Sequence, residues 1–449
     1  MVGDPRPGVP IMTVLRQLMT RPGTLRTFGL VMVLAGGAKL AGLAKEVVVA
    51  AEFGTGPAID AYIFLFNILS TPISIWFGAI FATLVPYLIQ LESRDPRSSA
   101  RFEAEFATLS IGFGIIAGAL FAIGLYAFIS MGVSGLSDAA VRFALTVLPW
   151  LWVFVPFMFV AQYGASCLMA RNLHANSLYD GAPALVILIA VLVLPPTITT
   201  LGIATVAGAG LQMCATLGSL FRANKSVRFA LPRRSSAWRG FWPGFGIMTG
   251  VQTLQSASPV IDQFIAAQLS AGSLAQFNYA LKIQALALTL IVLAVPRVLL
   301  PALASLRDAG RLEVDRFVRR WSWLLGFASV TIAMIVTFLA RDIVHVIYER
   351  GAFNPEDTTT IASLMKVMIW QLPFYTLSIL YSQVHFSKGN YAIMAAVAIG
   401  AVLVKLSIGL VLVWQFGLLG LAASGTVTYA FQVAALVVVS RIHAKGELR

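Results

Sequence analysis

The chain has 449 residues, of which 58% are hydrophobic and only 11% are charged, with a mean hydropathy of +0.84. Soluble domains are usually about 25% charged, so this composition excludes an ordinary soluble protein and predicts an all-α polytopic membrane protein. A net charge of +13 would fit a nucleic-acid partner, but the basic residues follow membrane topology, which excludes that partner. The two cysteines, Cys167 and Cys214, lie in predicted helices, and we expect buried thiols without a disulfide.

Twelve apolar segments are long enough to cross a bilayer, since each span needs about 20 mostly apolar residues. With the N-terminus in the cytoplasm, nearly all loop lysines and arginines lie inside, and only Arg142, Arg341 and Arg350 lie outside. Both termini are therefore predicted to be cytoplasmic. The predicted divisions are an N-terminal segment (1–26), a first lobe of six helices (27–221), a basic linker that can rest on lipid headgroups (222–239), a second lobe of six helices (240–440) and a tail (441–449).

An internal repeat indicates that the two six-helix halves are related. The run Glu46–Gly56 aligns with the run Asp262–Gly272, and an acidic residue, two alanines and a glycine fall in register. Because both halves begin on the same side of the membrane, the repeats would be parallel. A substrate site is then expected between the two halves, near the middle of the bilayer.

Charged residues at membrane depth mark candidate functional sites, because each costs at least about 2.5–3.5 kcal/mol to insert. The basic set comprises Lys39, Lys45, Lys282, Arg297, Lys366 and Lys405, and the acidic set comprises Glu46, Asp180 and Asp262, with Asp60 nearer the outer surface. If these residues served only in structural ion pairs, the numbers of basic and acidic residues would be roughly equal. The surplus of cations therefore predicts an anionic ligand.

Lys45 and Lys282 are the strongest candidates for anion binding, because they come from opposite halves and a lysine ammonium suits a phosphate group. Lys39 lies about a turn and a half nearer the cytoplasm, where it would either act as a gate or reach the headgroups. The alternative is that Lys45 pairs with Glu46 or Asp262, and that Lys282 extends towards the membrane surface.

Glu46 and Asp262 have two competing interpretations. Each would either neutralise a lysine or couple transport to a gradient of H⁺ or Na⁺, or to the membrane potential. Lys405 would pair with Asp262 or serve as a built-in cation. Three amides would line a polar wall or form interhelical hydrogen bonds: Gln252, Gln255 and Asn278.

No pattern in the chain indicates catalysis. There is no Walker loop, and the four histidines form no metal-ligating cluster with cysteine or aspartate. The sequence also gives no basis for a Ser/His/Asp catalytic triad. We therefore predict no catalytic residue, no metal and no cofactor.

Three stretches carry a resemblance to a known family. The run AKLAGLAKEVVVAAEFGTGPAIDAYIFLF (38–66) resembles the first hairpin of the MurJ/MviN lipid II flippases, a family of the MOP exporter superfamily. Lys45-Glu46 stands where that family has Arg-Asp, and Gly54, Gly56 and Asp60 match its F-G-x-G-x-x-x-D-A run. The stretch SAGSLAQFNYALK resembles a second family segment, with Lys282 in place of an arginine, and YERGAFNPED resembles its RG-x-F-x-x-x-D segment.

The resemblance implies a V-shaped bundle of two lobes around a cationic cavity in the bacterial cytoplasmic (inner) membrane. There the pyrophosphate of an undecaprenyl-linked saccharide would bind, with Lys45 and Lys282 as phosphate contacts, and alternating access would carry it outward. Glycosyltransferases or polymerases are candidate partners besides membrane lipids. The oligomeric state is not predicted.

Two departures from the family leave an alternative open. The second helix reads NILSTPISIWFGAIF, without the family's Arg-Arg pair and Glu-Gly, and the chain offers twelve spans where the family usually has fourteen. A Wzx-type flippase for exopolysaccharide or O-antigen repeat units fits these features as well. A multidrug/cation antiporter of the same superfamily is disfavoured, because a cavity for organic cations should be acidic or aromatic.

Overall fold

The computed structural model describes residues 24–171, 173, 179–224, 230, 236–288, 311–387 and 391–446. Within these ranges the chain is almost entirely helical and contains no strand. The prediction of an all-α protein is confirmed. Cys167 is buried, but Cys214 is exposed, so the expectation of two buried thiols is wrong for Cys214. A thiol is apolar enough to sit on a lipid-facing helix surface.

Fourteen helical segments follow one another in the described part of the chain. They are α1 (Thr24–Phe53), α2 (Pro57–Arg94), α3 (Pro96–Ser130), α4 (Asp138–Leu151), α5 (Phe154–Ala170), α6 (Ala182–Val193), α7 (Ile198–Asn224), α8 (Ser236–Ala267), α9 (273–288), α10 (Arg311–Tyr348), α11 (Pro355–Met368), α12 (Gln371–Ser387), α13 (Tyr391–Phe416) and α14 (Leu418–Gly446). Taking α4 with α5 and α11 with α12 as single broken spans, these segments occupy the twelve predicted spans.

Six described helices are individually long and apolar enough to cross a membrane, namely α2, α3, α7, α10, α13 and α14. The pair α4 and α5, bent by 47° at its break, makes a seventh span. The bend lies between Pro149 and Pro156, and proline removes a helix hydrogen bond and crowds the preceding turn. The remaining five predicted spans coincide with helical segments that do not meet the combined test of length and apolarity.

The helices pack into two groups that meet along α2 and α8. In the first group, α2 packs on α3, α4 and α5, α7 packs on α4, α5 and α6, and α1 packs on α6. In the second group, α10 packs on α11 and α12, and α14 packs on α11, α12 and α13. Helix α9 belongs with the second group, because Gln284 donates a hydrogen bond to the carbonyl of Met368 at the end of α11. Helix α8 lies along α2 and also contacts α13, so it bridges the groups.

The start of α8 is anchored to the first group by aromatic packing and two hydrogen bonds. The indole Nε1 of Trp238 donates to Glu105 Oε2 at 2.6 Å, and the Tyr87 hydroxyl donates to the carbonyl of Ala237. The ring centroids of Phe102 and Trp238 are 4.5 Å apart, with the two rings tilted by 49°. Most of the predicted linker 222–239 lies outside the described residues, and its role as a boundary stays a prediction.

Candidate functional site

Glu46 brings two lysines from distant parts of the chain together. Its Oε1 atom lies 2.7 Å from Nζ of Lys45 on α1 and 3.2 Å from Nζ of Lys282 on α9. The side chains of Lys45 and Glu46 are each 15% exposed, whereas that of Lys282 is 45% exposed. One carboxylate therefore faces two ammonium groups, and we call these three residues the lysine site.

The lysine site lies well inside α1, the first of the predicted spans. Lys45 precedes the end of α1 at Phe53 by eight residues, which is about 12 Å at 1.5 Å per residue. Each lysine ammonium has three N–H donors, and one carboxylate leaves several of them unused. The site therefore carries a net positive charge and free donors on Lys282, which suit an anionic ligand.

The second acidic residue of the repeat, Asp262, is held in a separate ion pair. Nζ of Lys405 on α13 lies 2.7 Å from Asp262 Oδ1, and the two side chains are only 4% and 13% exposed. The pairing of Lys405 with Asp262 was one of the two expectations for Lys405. Because burying either charge alone is costly, each residue neutralises the other.

Among the residues that the structure describes, the other predicted cations are not ion-pair partners of Glu46. Lys39 is exposed on α1 and lies close enough to Asp180 to interact with it electrostatically, but the ion pairs described for Glu46 do not include it. Lys366 is exposed on α11. Arg297 lies outside the described residues.

The hairpin motif lies at one end of the molecule, where three turns pack against one another. We call this the turn end, defined by the turns at 54–56, 268–272 and 349–354. Gly54 has a φ of +58°, which favours glycine, and a Cβ there would lie 2.8 Å from the carbonyl oxygen of Ala352. Gly56 has a φ of −84°, and a Cβ there would make an ordinary contact at 3.9 Å with the Phe53 carbonyl oxygen, so neither its backbone nor its packing requires glycine.

Asp60 caps a helix of the other group. Its buried carboxylate accepts hydrogen bonds from the backbone N–H groups of Gly272 at 2.6 Å and Ala275 at 2.8 Å. These are orphan donors at the start of α9, where the helix dipole also favours a negative charge. The hairpin acid thus joins α2 to α9, and Tyr279 adds a hydrogen bond from α9 to the carbonyl of Gly54.

The loop before α11 completes the turn end. Thr55 Oγ1 donates to Asp357 Oδ1 at 2.6 Å, and the N–H of Ala352 donates to the carbonyl of Ala51 at 2.6 Å. Gly351, with a φ of +58°, lies so close to α1 that a Cβ would be 2.3 Å from the Ala51 oxygen. The first hairpin is therefore closely packed against the second group.

Three amides lie at the junction of α2, α8 and α9. Asn67 Nδ2 donates to Gln263 Oε1 and to Asn278 Oδ1, both at 2.9 Å, and Asn278 Nδ2 donates to Gln263 Oε1 at 3.0 Å. We call these residues the amide triad. For Asn278, the structure favours the interhelical hydrogen bonds over the polar wall.

Several residues of this region were missed by the sequence reasoning. Asn67 is a lone amide within the apolar run YIFLFNILS, and that isolation was an available signal. Asp357 ends the RG-x-F-x-x-x-D segment of the resemblance, but no sequence pattern pairs it with Thr55, because the two positions are 302 residues apart. Among the described residues, no group of three or more metal-ligating side chains is present.

A family model described as the lipid II flippase MurJ matches residues 49–447 of this chain. A probable lipid II flippase MurJ of Aquifex aeolicus is 23% identical over 410 residues, covering 89% of this chain and 78% of the relative. The corresponding protein of Bdellovibrio bacteriovorus is 25% identical over 391 residues, covering 82% and 73%.

Solved structures agree in fold. A lipid II flippase MurJ in an inward closed conformation superimposes with a TM-score of 0.78 at 18% identity, covering 92% of this chain and 87% of that chain. An inward-facing multidrug-resistance MATE transporter of the MOP superfamily superimposes with a TM-score of 0.76 at 14% identity, covering 91% and 96%. Both are polytopic helical transporters, and they support the fold predicted from the sequence.

Proposed function

The chain belongs to the lipid II flippase MurJ family, and from this we propose that it moves a polyprenyl-pyrophosphate-linked saccharide across the bacterial cytoplasmic membrane. In this proposal the pyrophosphate binds Lys45 and Lys282. No chemical step is required, because the substrate changes sides without changing covalently.

The observation that carries the proposal is the composition of the lysine site. Two ammonium groups on helices of different groups share the single carboxylate of Glu46. A pyrophosphate arriving at the exposed ammonium of Lys282 would gain charge-assisted hydrogen bonds and would compete with Glu46 for both lysines. Since the lysines belong to α1 and α9, ligand binding at this site depends on the relative position of the two groups of helices.

The charge distribution supports a direction for the transport. The basic loops support cytoplasmic termini, and with that orientation the turn end would lie on the outer side of the membrane. The contacts of Asp60, Thr55 and Gly351 then close the outer side. We propose that this is the state that receives the substrate from the cytoplasm, and that release requires these contacts to separate.

Coupling to an ion gradient, if the chain uses one, does not require Asp262 in this proposal. Its carboxylate is neutralised by Lys405, a fixed cation in the same buried pair. Glu46 remains a candidate coupling group, since its charge is shared between two lysines. The membrane potential would itself act on the anionic substrate.

A Wzx-type role is the second candidate, and α2 favours it. The stretch of α2 after Asn67 lacks the Arg-Arg pair of the family's second helix and carries Ser70, Ser74, Phe77 and Phe81, of which Ser74 and both aromatic rings are exposed. A headgroup with fewer negative charges than that of lipid II would suit such a surface. The net positive lysine site argues against a transporter of organic cations.

Native mass spectrometry of the purified protein tests the substrate directly. The protein would be offered lipid II and other undecaprenyl-pyrophosphate glycans, beside a variant carrying Lys45→Ala and Lys282→Ala. We expect adducts with pyrophosphate lipids that weaken at least tenfold in the variant, since each charge-assisted hydrogen bond contributes about 1.5–3 kcal/mol.

A Lys366→Ala variant is the matched control, because it removes one exposed lysine that is not among the ion-pair partners of Glu46. Preference for lipid II would support the peptidoglycan precursor, and preference for another glycan would support the Wzx-type role. Absence of binding to every pyrophosphate lipid, or binding that the double substitution leaves unchanged, would reject the lysine site as the pyrophosphate site.

A further inference from the structure

The amide triad forms an uncharged layer between the lysine site and the turn end. On α9, Asn278 precedes Lys282 by four residues, so the two side chains lie on one face about one turn apart. On α2, Asn67 follows Asp60 by seven residues, about two turns. Three layers of contact between the groups therefore succeed one another: the Asp60 cap, the amide triad and the lysine site.

The hydrogen bonds of the triad divide unevenly between the two groups of helices. Asn67 lies on α2 and donates both of its bonds to residues of α8 and α9. Gln263 and Asn278 also bond each other, at 3.0 Å, and Asn278 Nδ2 bonds the carbonyl of Leu274 at 2.9 Å. If α2 moves away from both α8 and α9, the two bonds of Asn67 break, whereas Gln263 and Asn278 keep the bond between them.

We infer that the amide triad is a release latch: the two hydrogen bonds of Asn67 hold the turn end closed over the lysine site, and their loss lets that end open. This inference rests on the proposed transport function. It assigns Asn67, Gln263 and Asn278 a role in setting the balance between the closed and open states.

Neutral amides suit this layer better than charges would. Interhelical hydrogen bonds between uncharged side chains in membranes are individually weak, so breaking two of them is readily reversible. A buried ion pair at the same place would be much harder to separate, because each charge would lose its partner. Amides also add no net charge beside the lysine site, so they do not compete for an anion.

Cysteine labelling tests the latch without any substrate. The two native cysteines are first removed by Cys167→Ala and Cys214→Ala, and Ser74→Cys then introduces a single thiol. Residue 74 is an exposed position of α2, about two turns beyond Asn67 on the side away from the turn end. A membrane-impermeant maleimide is applied to intact cells from outside, and to inverted vesicles from the cytoplasmic side. We expect the parent to label from the cytoplasmic side, and Asn67→Leu to raise the rate from outside by about eightfold, the effect of two average interhelical hydrogen bonds.

Thr71→Val is the matched control, because the Thr71 hydroxyl bonds only the carbonyl of Asn67 within the same helix, at 3.1 Å. It should leave outside labelling unchanged. Asp60→Asn weakens the cap on α9 and should raise outside labelling. If Asn67→Leu fails to reach the membrane, Gln263→Met removes one of the two bonds of Asn67 and replaces that variant in the test, with a correspondingly smaller rise in outside labelling expected.

Outside labelling that stays at the parent rate in Asn67→Leu while rising in Asp60→Asn would overturn the latch. So would a thiol at this position that reacts from neither side. The readout is independent of what is transported. Raised labelling together with absent binding of pyrophosphate lipids would therefore reject the proposed substrate and retain the latch.

Discussion

The buried pair of Lys405 and Asp262 allows a double-mutant cycle with a large expected signal. Lys405→Met keeps most of the aliphatic stem but leaves the Asp262 carboxylate buried without its cation. Asp262→Leu leaves the ammonium in the same position. With side chains only 4% and 13% exposed, breaking the pair from either side should cost about 3–5 kcal/mol.

The double variant should recover most of that loss. Replacing both members of a buried ion pair by apolar side chains is often neutral or stabilising, by about 1–4 kcal/mol. Thermal unfolding in detergent, followed by tryptophan fluorescence, should therefore place the midpoint of the double variant near the parent and both single variants well below it. Lys366→Met, which changes an exposed lysine, should stay within about 0.5 kcal/mol of the parent.

Two results would refute this reasoning. A double variant no more stable than the weaker single variant would show that the two charges do not act on each other. Selective stabilisation of Lys405→Met by added Na⁺ up to the parent midpoint would mean that Asp262 binds an ion once freed, and would return Asp262 to the candidates for coupling.

Two further predictions concern the turn end. Gly351→Ala should destabilise the protein by at least about 1–2 kcal/mol because of the φ of +58° alone, and the clash with the Ala51 oxygen adds to this cost. Gly250→Ala, in open space on α8, is the control and should be neutral or slightly stabilising. The thermal unfolding midpoints of the two variants test this difference. A hydrogen bond from Thr358 lowers the pKa of Glu349 below its usual value of 4.5, so Glu349 stabilises the folded state above that pH and loses this effect as the pH falls further. The difference in midpoint between the parent and Glu349→Gln should therefore shrink on acidification below about pH 4.5, and a difference that grows would contradict the assignment.

The sequence predicted those features that depend on charge within apolar runs. Lys45, Glu46 and Lys282 stand out because few residues at membrane depth carry charge, and the structure brings these three together. For Lys405 the sequence left two alternatives open, and the ion pair with Asp262 is the one found in the structure. The roles of Lys45 and Lys282 in phosphate binding remain proposals.

The packing partners of the helices could not be predicted in the same way. Helix α2 is apolar all round, and without a polar face its sequence does not indicate which side meets α8. For that reason the position of Asn67 in the apolar run did not predict a role for it. The closure of the turn end likewise depends on backbone contacts, such as that between Ala352 and Ala51, for which no side-chain pattern exists.

The cap on α9 has a consequence for biosynthesis. The carboxylate that satisfies the first N–H groups of this helix belongs to Asp60, 212 positions before Gly272. When residue 272 leaves the ribosome, α2 has already been synthesised, so Asp60 is available to cap α9 as that helix forms. Two halves expressed as separate chains would have to meet in one membrane before α9 acquires its N-terminal partner.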